Sequence, residues 1–318
     1  MSDRIQAGDI LNEAFQFGYR RWLTVFRFLW MPFLVAGLFG FAALNVVFDA
    51  EALNAMTETS SIQNLGAAMK VSLPTAVFIA IAGFALMLFL YSGVFASIFR
   101  LVALGEERPG LFQLRFDGPA QRVLWAQLIM TLINYAVVLA AGLVSLALSG
   151  QSFASVMAAL NEFMSIVAAA SATGASQPAP ESVQHLAAPM SVIFQTMLFS
   201  LPPLIYLNVK LAPFLPGSAA ENRLLLFGAF RMTAGHAWSI FLVFVMFFMV
   251  MVIIGVVYSL AMSFVEMMAG LSGAGVLALL GAVFSFISLV AAVAYQVFVM
   301  GVQMSLQAII YRRLKTGQ

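Results

Sequence analysis

The chain has no cysteine in 318 residues. Disulfides, thiolate nucleophiles and thiolate metal sites are therefore excluded. Charge is almost as scarce: 9% of the residues are Asp, Glu, Lys or Arg, where soluble domains carry roughly a quarter. The only histidines, His185 and His236, fall in connections expected on opposite sides of a membrane, so they cannot share a metal. There is no HExxH, no Gly-rich phosphate loop before a helix and no aspartate cluster. Serines are many, but none has a positioned base. No acidic or basic residue lies near the centre of an apolar run. That removes the buried charge typical of proton relays and ion-coupled pumps, while leaving passive conduction open. No enzyme activity, cofactor or nucleic-acid partner is expected, and no soluble domain is visible.

What the chain does have is apolar length. Hydrophobic residues make up 63% of it, in runs long enough for a helix to cross about 30 Å of hydrocarbon. In lipid the backbone must satisfy its own hydrogen bonds, so such runs are helices, and the alternation of a membrane barrel is absent. The prediction is an all-α membrane protein, one integral domain over 1–318, with six spans at 23–48, 76–104, 123–149, 190–211, 238–265 and 276–310. The first run follows about twenty mostly polar residues and is too long for a signal peptide, so it reads as retained.

The basic residues support the count of six. Arg4, Arg20, Arg21 and Arg27 precede or open the first span. Arg100, Arg108, Arg115 and Arg122 flank the second connection, Lys210, Arg223 and Arg231 the fourth, and Arg312, Arg313 and Lys315 end the chain. The first, third and fifth connections together hold only Lys70. The positive-inside rule then places both termini in the cytoplasm, and moving a single span would destroy the alternation. Trp22, Trp125 and Trp238 fall at the same ends, where an indole prefers to sit. Arg27, Arg100 and Lys210 are expected to reach headgroups from just inside those ends. Glu106-Glu107 reads as a solvated turn before Pro109-Gly110.

On the outer side, residues 49–73 form a polar connection. The outer-face segment 150–188 carries a helical stripe of Phe153, Val156, Met157, Leu160, Met164 and Val167, followed by a small-residue linker over 171–181. Amphipathic surface helices are expected before spans one and five. In the first, Asp9 caps Ile10, Leu11, Ala14 and Phe15. In the second, Ser218–Glu221 reads as a capping box ahead of Leu225, Leu226, Ala229 and Phe230. One constant offset relates Ile10, Leu11, Ala14, Phe15 and Phe26 to Leu225, Leu226, Ala229, Phe230 and Phe241, a weak internal repeat. Such elements lie flat at a membrane surface before the chain turns in.

The candidate site residues are uncharged. Gln127, Thr131 and Asn134 share one face of the third span. Gln296 and Gln303, with Ser285, Ser288 and Gln307, approximately share one face of the sixth. In the fourth, Pro202-Pro203 removes two amides and leaves the carbonyls of Leu198 and Phe199 without their usual donors. Gln195 lies outside that pair and Tyr206 inside it. The expectation is that spans three, four and six are neighbours with these side chains turned together. They would form either a polar cavity or interhelical hydrogen bonds of roughly 0.6–2 kcal/mol each. The sixth run, about 35 residues and roughly 50 Å as a helix, should tilt, bend at Gly281 or Gly301, or project into the cytoplasm.

The string LLLFGAFRMTAGHAWSI at 224–240 carries Ala229, Arg231, Thr233, Gly235, His236 and Trp238. It resembles a segment of bacterial six-span inner-membrane proteins similar to the membrane domain of some glycerophosphodiester phosphodiesterases. That superfamily also has an amphipathic N-terminal helix, as over 10–19 here. The resemblance implies a bacterial inner-membrane location and six helices. It carries over no catalytic residue, and the phosphodiesterase domain itself is absent. The leading functional reading is a non-enzymatic membrane protein that organises or binds membrane lipids or a protein partner. The alternative is a transporter or channel for a lipid-like or small neutral solute.

Overall fold

Each long apolar run folds as a single α-helix. The computed structural model describes residues 6–48, 70–107, 117–172, 184–270 and 276–317. Ten α-helices lie among them: α1 (Ala7–Arg20), α2 (Trp22–Val47), α3 (Leu73–Leu104), α4 (Gly118–Ser149), α5 (Phe153–Ala172), α6 (Ala187–Lys210), α7 (Phe214–Glu221), α8 (Leu226–Met232), α9 (Ala237–Gly270) and α10 (Val276–Thr316). A 3₁₀ turn, Gln184–Leu186, leads into α6. The described residues form no strand. Six helices are long and apolar enough to cross a membrane: α2, α3, α4, α6, α9 and α10. The fold is therefore all-α and multi-pass, with the span positions that hydropathy predicts. Residues 49–69 and 173–183, most of the expected polar connection and linker, lie outside the described residues, as do Arg4, Arg108 and Arg115.

Two local expectations are corrected. The proline pair does not interrupt its span: α6 runs unbroken from Ala187 to Lys210 with Pro202 and Pro203 inside it, both exposed. The sixth run folds as one helix of 41 residues, α10, roughly 60 Å long and so longer than a simple crossing needs. Neither the Asp9 cap nor the Ser218–Glu221 capping box is formed. Asp9 lies within the first turn of α1, whose N-cap is Gln6. Ser218 lies within α7, and its hydroxyl accepts the Leu225 amide at 3.2 Å, seven residues on. The chain turns between α7 and α8 at Asn222, the one non-glycine described residue with positive φ, at 52°. Asparagine tolerates that left-handed conformation better than most residues.

The chain divides into two compact units. Unit one comprises Met1–Phe33, Phe89–Gln127 and Asn208–Gln318. Its core is one continuous cluster, including Ile10, Val25, Phe99, Ile240, Leu306 and Ile310. Here α1 lies antiparallel to α10, because successive contacts run Gly18 to Val302, Ala14 to Ser305 and Glu13 to Arg312. The approach is close. A Cβ on Gly18 would sit 2.5 Å from Val302 Cγ2, and one on Gly301 3.3 Å from Val25 Cγ1. The Ser305 hydroxyl donates to the Ala14 carbonyl at 3.3 Å. Phe15 packs on Phe298 with ring centroids 6.1 Å apart. So the apolar face of α1 is covered by protein, which is why Ile10, Leu11 and Ala14 are buried. On α3, Tyr91, Phe95 and Phe99 form an aromatic ladder at i, i+4 spacing that Phe33 of α2 joins. Between α9 and α10, Tyr258 and Tyr295 stack at 4.3 Å.

Unit two comprises Leu34–Leu88 and Leu128–Leu207. It buries few large side chains; Val156, Leu186 and Val192 are among them. Its close approaches are Gly83 against the Phe39 ring and Gly142 against Thr196. His185 pairs with Glu162 at 2.9 Å, joining the 3₁₀ turn to α5. Most of its aliphatic and aromatic surface is outward, as lipid contact requires.

Candidate functional site

Lys70 is the one described basic residue of unit two; the others all belong to unit one. They collect at helix ends, where the structure has done something that a count of positive charges does not reveal. Most are paired. Arg21 at the α1–α2 junction binds Glu107, just past α3. Arg312 on α10 binds Glu13 of α1 and donates to the Val102 carbonyl of α3 at 3.2 Å, and Arg313 reaches the same glutamate. Arg100 does not reach outward to headgroups. Its guanidinium donates to Glu106 at 2.6 Å and to the Ala219 carbonyl of α7 at 3.1 Å, and its side chain is only 18% exposed. Glu106 and Glu107 are thus ion-pair partners rather than a free turn.

Glu221, at the end of α7, is the hub of a second cluster. Its carboxylate accepts from Arg223 at 2.7 Å, from the buried Tyr311 hydroxyl at 2.9 Å and from Lys315 at 3.1 Å. Gly217, one turn back, leaves room for the Tyr311 ring; a Cβ there would meet it at 3.0 Å. These contacts dock α7 on the end of α10. Two clefts open among the paired ends. One, about 260 Å³, lies among α1, α3 and α10 beside Glu13, Arg21, Glu107 and Arg312. The other, about 440 Å³, lies among α7, α8 and α10 beside Glu221, Arg223, Arg231 and Lys315.

The Ala229–Trp238 pattern acquires a physical meaning here. Ala229 is fully buried, as is Ala14, its counterpart at the repeat offset. The buried Thr233 hydroxyl donates to Ala229 at 3.0 Å and to the Lys210 carbonyl at 3.3 Å, tying the end of α8 to the end of α6. Gly235 has φ 81°, a conformation open to glycine, and the His236 amide closes the turn on Thr233 at 3.2 Å. The chain then enters α9 with Trp238 74% exposed. Threonine and glycine at this spacing build a joint between a short helix and a span.

The uncharged candidates fare differently. Gln127 of α4 is 8% exposed and its Oε1 has no hydrogen-bond partner; Asn134 Oδ1 and Gln195 Oε1 are likewise buried and unpartnered. Thr131 is half-buried. Gln296 and Gln303 are exposed on α10, and Tyr206 is exposed on α6, as are both prolines. Gln296 and Gln303 belong to unit one, and Thr131, Asn134 and Gln195 to unit two. In a helix apolar on every side, periodicity identifies a shared face but not which way that face turns. The paired charges were the feature that sequence reasoning missed. Their partners are separated by 86 residues for Arg21 and Glu107 and 299 for Arg312 and Glu13, beyond the reach of any local pattern. Comparison with family models, with curated proteins and with solved structures finds no match for this chain.

Proposed function

We propose that this is a non-enzymatic multi-pass protein of a bacterial inner membrane that binds or organises lipid, with the charged ends of unit one on the cytoplasmic side. The observation that carries the reading is the segregation of charge. Every described basic residue but Lys70 belongs to unit one, and exposed Tyr19, Trp22, Trp125 and Trp238 lie at the same helix ends. Basic side chains near an anionic leaflet are worth about 1 kcal/mol each, and indoles favour the headgroup level. The resemblance to the membrane domain of glycerophosphodiester phosphodiesterases belongs to the same proposal. The Thr233–Trp238 joint supports it as a shared means of seating a surface helix ahead of a span. The transport alternative relied on a broken fourth span, whereas α6 is one continuous helix.

Two measurements test the proposal. Reporter fusions at residues 112, 220 and 318 should report the cytoplasm, and those at 60, 170 and 270 the outer side; one inverted site refutes the orientation. Lipid extracted with the purified protein should be enriched in anionic species over the bulk membrane. A composition equal to the bulk refutes lipid selection.

A further inference from the structure

We propose that the cleft among α7, α8 and the end of α10 seats the phosphate of an anionic glycerophospholipid, with Arg231 as a direct ligand; this rests on the lipid-binding reading above. The charge inside the cleft is unbalanced. Three cations line it, Arg223, Arg231 and Lys315, against one carboxylate, Glu221. That carboxylate is already shared by Arg223, Lys315 and the Tyr311 hydroxyl. Arg231 is exposed and makes no ion pair among the described residues, unlike Arg21, Arg100, Arg312 and Arg313. Arg223 and Lys315 are held in place by Glu221, so two of the three cations are fixed before a ligand arrives. A planar guanidinium presents paired donors that match two phosphate oxygens, and a cleft of about 440 Å³ has room for a headgroup phosphate.

The surroundings identify the source of the phosphate. Phe227 on α8 is 81% exposed, Leu224 is exposed just before that helix, and Trp238 is 74% exposed just after it. Large apolar side chains beside a basic cleft suit acyl chains and glycerol, not bulk water. A soluble phosphate compound would need the basic cleft alone.

The test uses the full-length chain in a neutral detergent. Its thermal midpoint is followed against phosphatidylglycerol, phosphatidylcholine and soluble glycerol phosphate. Phosphatidylglycerol should raise the midpoint saturably and phosphatidylcholine should not. Arg231→Gln should weaken the apparent affinity at least threefold, Arg231→Lys should restore part of it, and Lys70→Gln, which removes a cation from unit two, should leave it unchanged. Arg231 is exposed, so its substitution leaves the fold intact. If phosphatidylglycerol stabilises wild type and Arg231→Gln equally, the cleft assignment is overturned while lipid binding stands. An equal loss in Lys70→Gln would reduce the effect to net charge and overturn it too. Equal response to both lipids in the wild type removes the lipid-binding reading itself. A shift with glycerol phosphate as large as with the lipid would make the ligand soluble and overturn the lipid assignment.

Discussion

Unit one and unit two are built from the same kinds of apolar helix but are held together differently. Unit one has a continuous buried core, glycine-mediated helix contacts and a shell of ion pairs. Unit two has scattered buried residues, and its His185–Glu162 contact is more than half exposed on both partners. Lipid offers no hydrophobic drive for helices to associate, so association falls to close packing and polar bonds. Where chain ends leave the hydrocarbon, water returns the hydrophobic effect. Short elements such as α1, α7 and α8 can then be packed as in a soluble core. The helices are alike; what covers them is not.

The sharpest way to break that contrast is through its glycines. Gly18→Val forces a branched side chain into stiff Val302, and overpacking of this kind costs roughly 1–3 kcal/mol or more. A large fall in the thermal midpoint in detergent is expected. Gly83→Val in unit two meets only the edge of the half-buried Phe39 ring, which can swing aside, and should cost clearly less. Equal losses would erase the distinction between the units. The ion pairs give a smaller contrast. Glu13→Ala removes the partner of both Arg312 and Arg313 and should cost about 1 kcal/mol, whereas Glu162→Ala should fall within about 0.5 kcal/mol, as exposed pairs do. A midpoint unmoved by Glu13→Ala would mean the rim merely decorates the core. Smallest are the amides. Gln127→Leu removes a buried, unpartnered oxygen and should stabilise slightly, because an unmet buried acceptor carries a desolvation penalty of about 1–3 kcal/mol. Gln296→Leu on the exposed face should leave yield and midpoint unchanged. A collapse of folded protein in Gln127→Leu would show that its amide is bonded after all.

Much of the fold was legible because the bilayer sets a length. Twenty or more apolar residues have only one economical conformation in hydrocarbon, so all six spans emerge within a few residues of their observed ends. The Ala229–Trp238 joint was legible as a pattern but not as a mechanism, since Thr233 reaches the Lys210 carbonyl, 23 residues away, only in the folded chain. Pro202-Pro203 misled because a proline removes its own amide without obliging the helix to open there. Ser218 and Glu221 misled in another way. Their spacing fits a capping box, yet the serine binds the next helix and the glutamate binds α10, and tertiary partners outcompete local ones.

The pairing of α1 with α10 has a consequence for how the protein is made. Gly18 and Glu13 leave the ribosome nearly 300 residues before Val302 and Arg312. At about 5–20 residues per second, nearly 300 residues take roughly 15–60 seconds. For that interval the sticky face of the first helix has no lid of its own. A helix made early thus waits for a partner made late, and α1 takes its final place only after α10 has been synthesised.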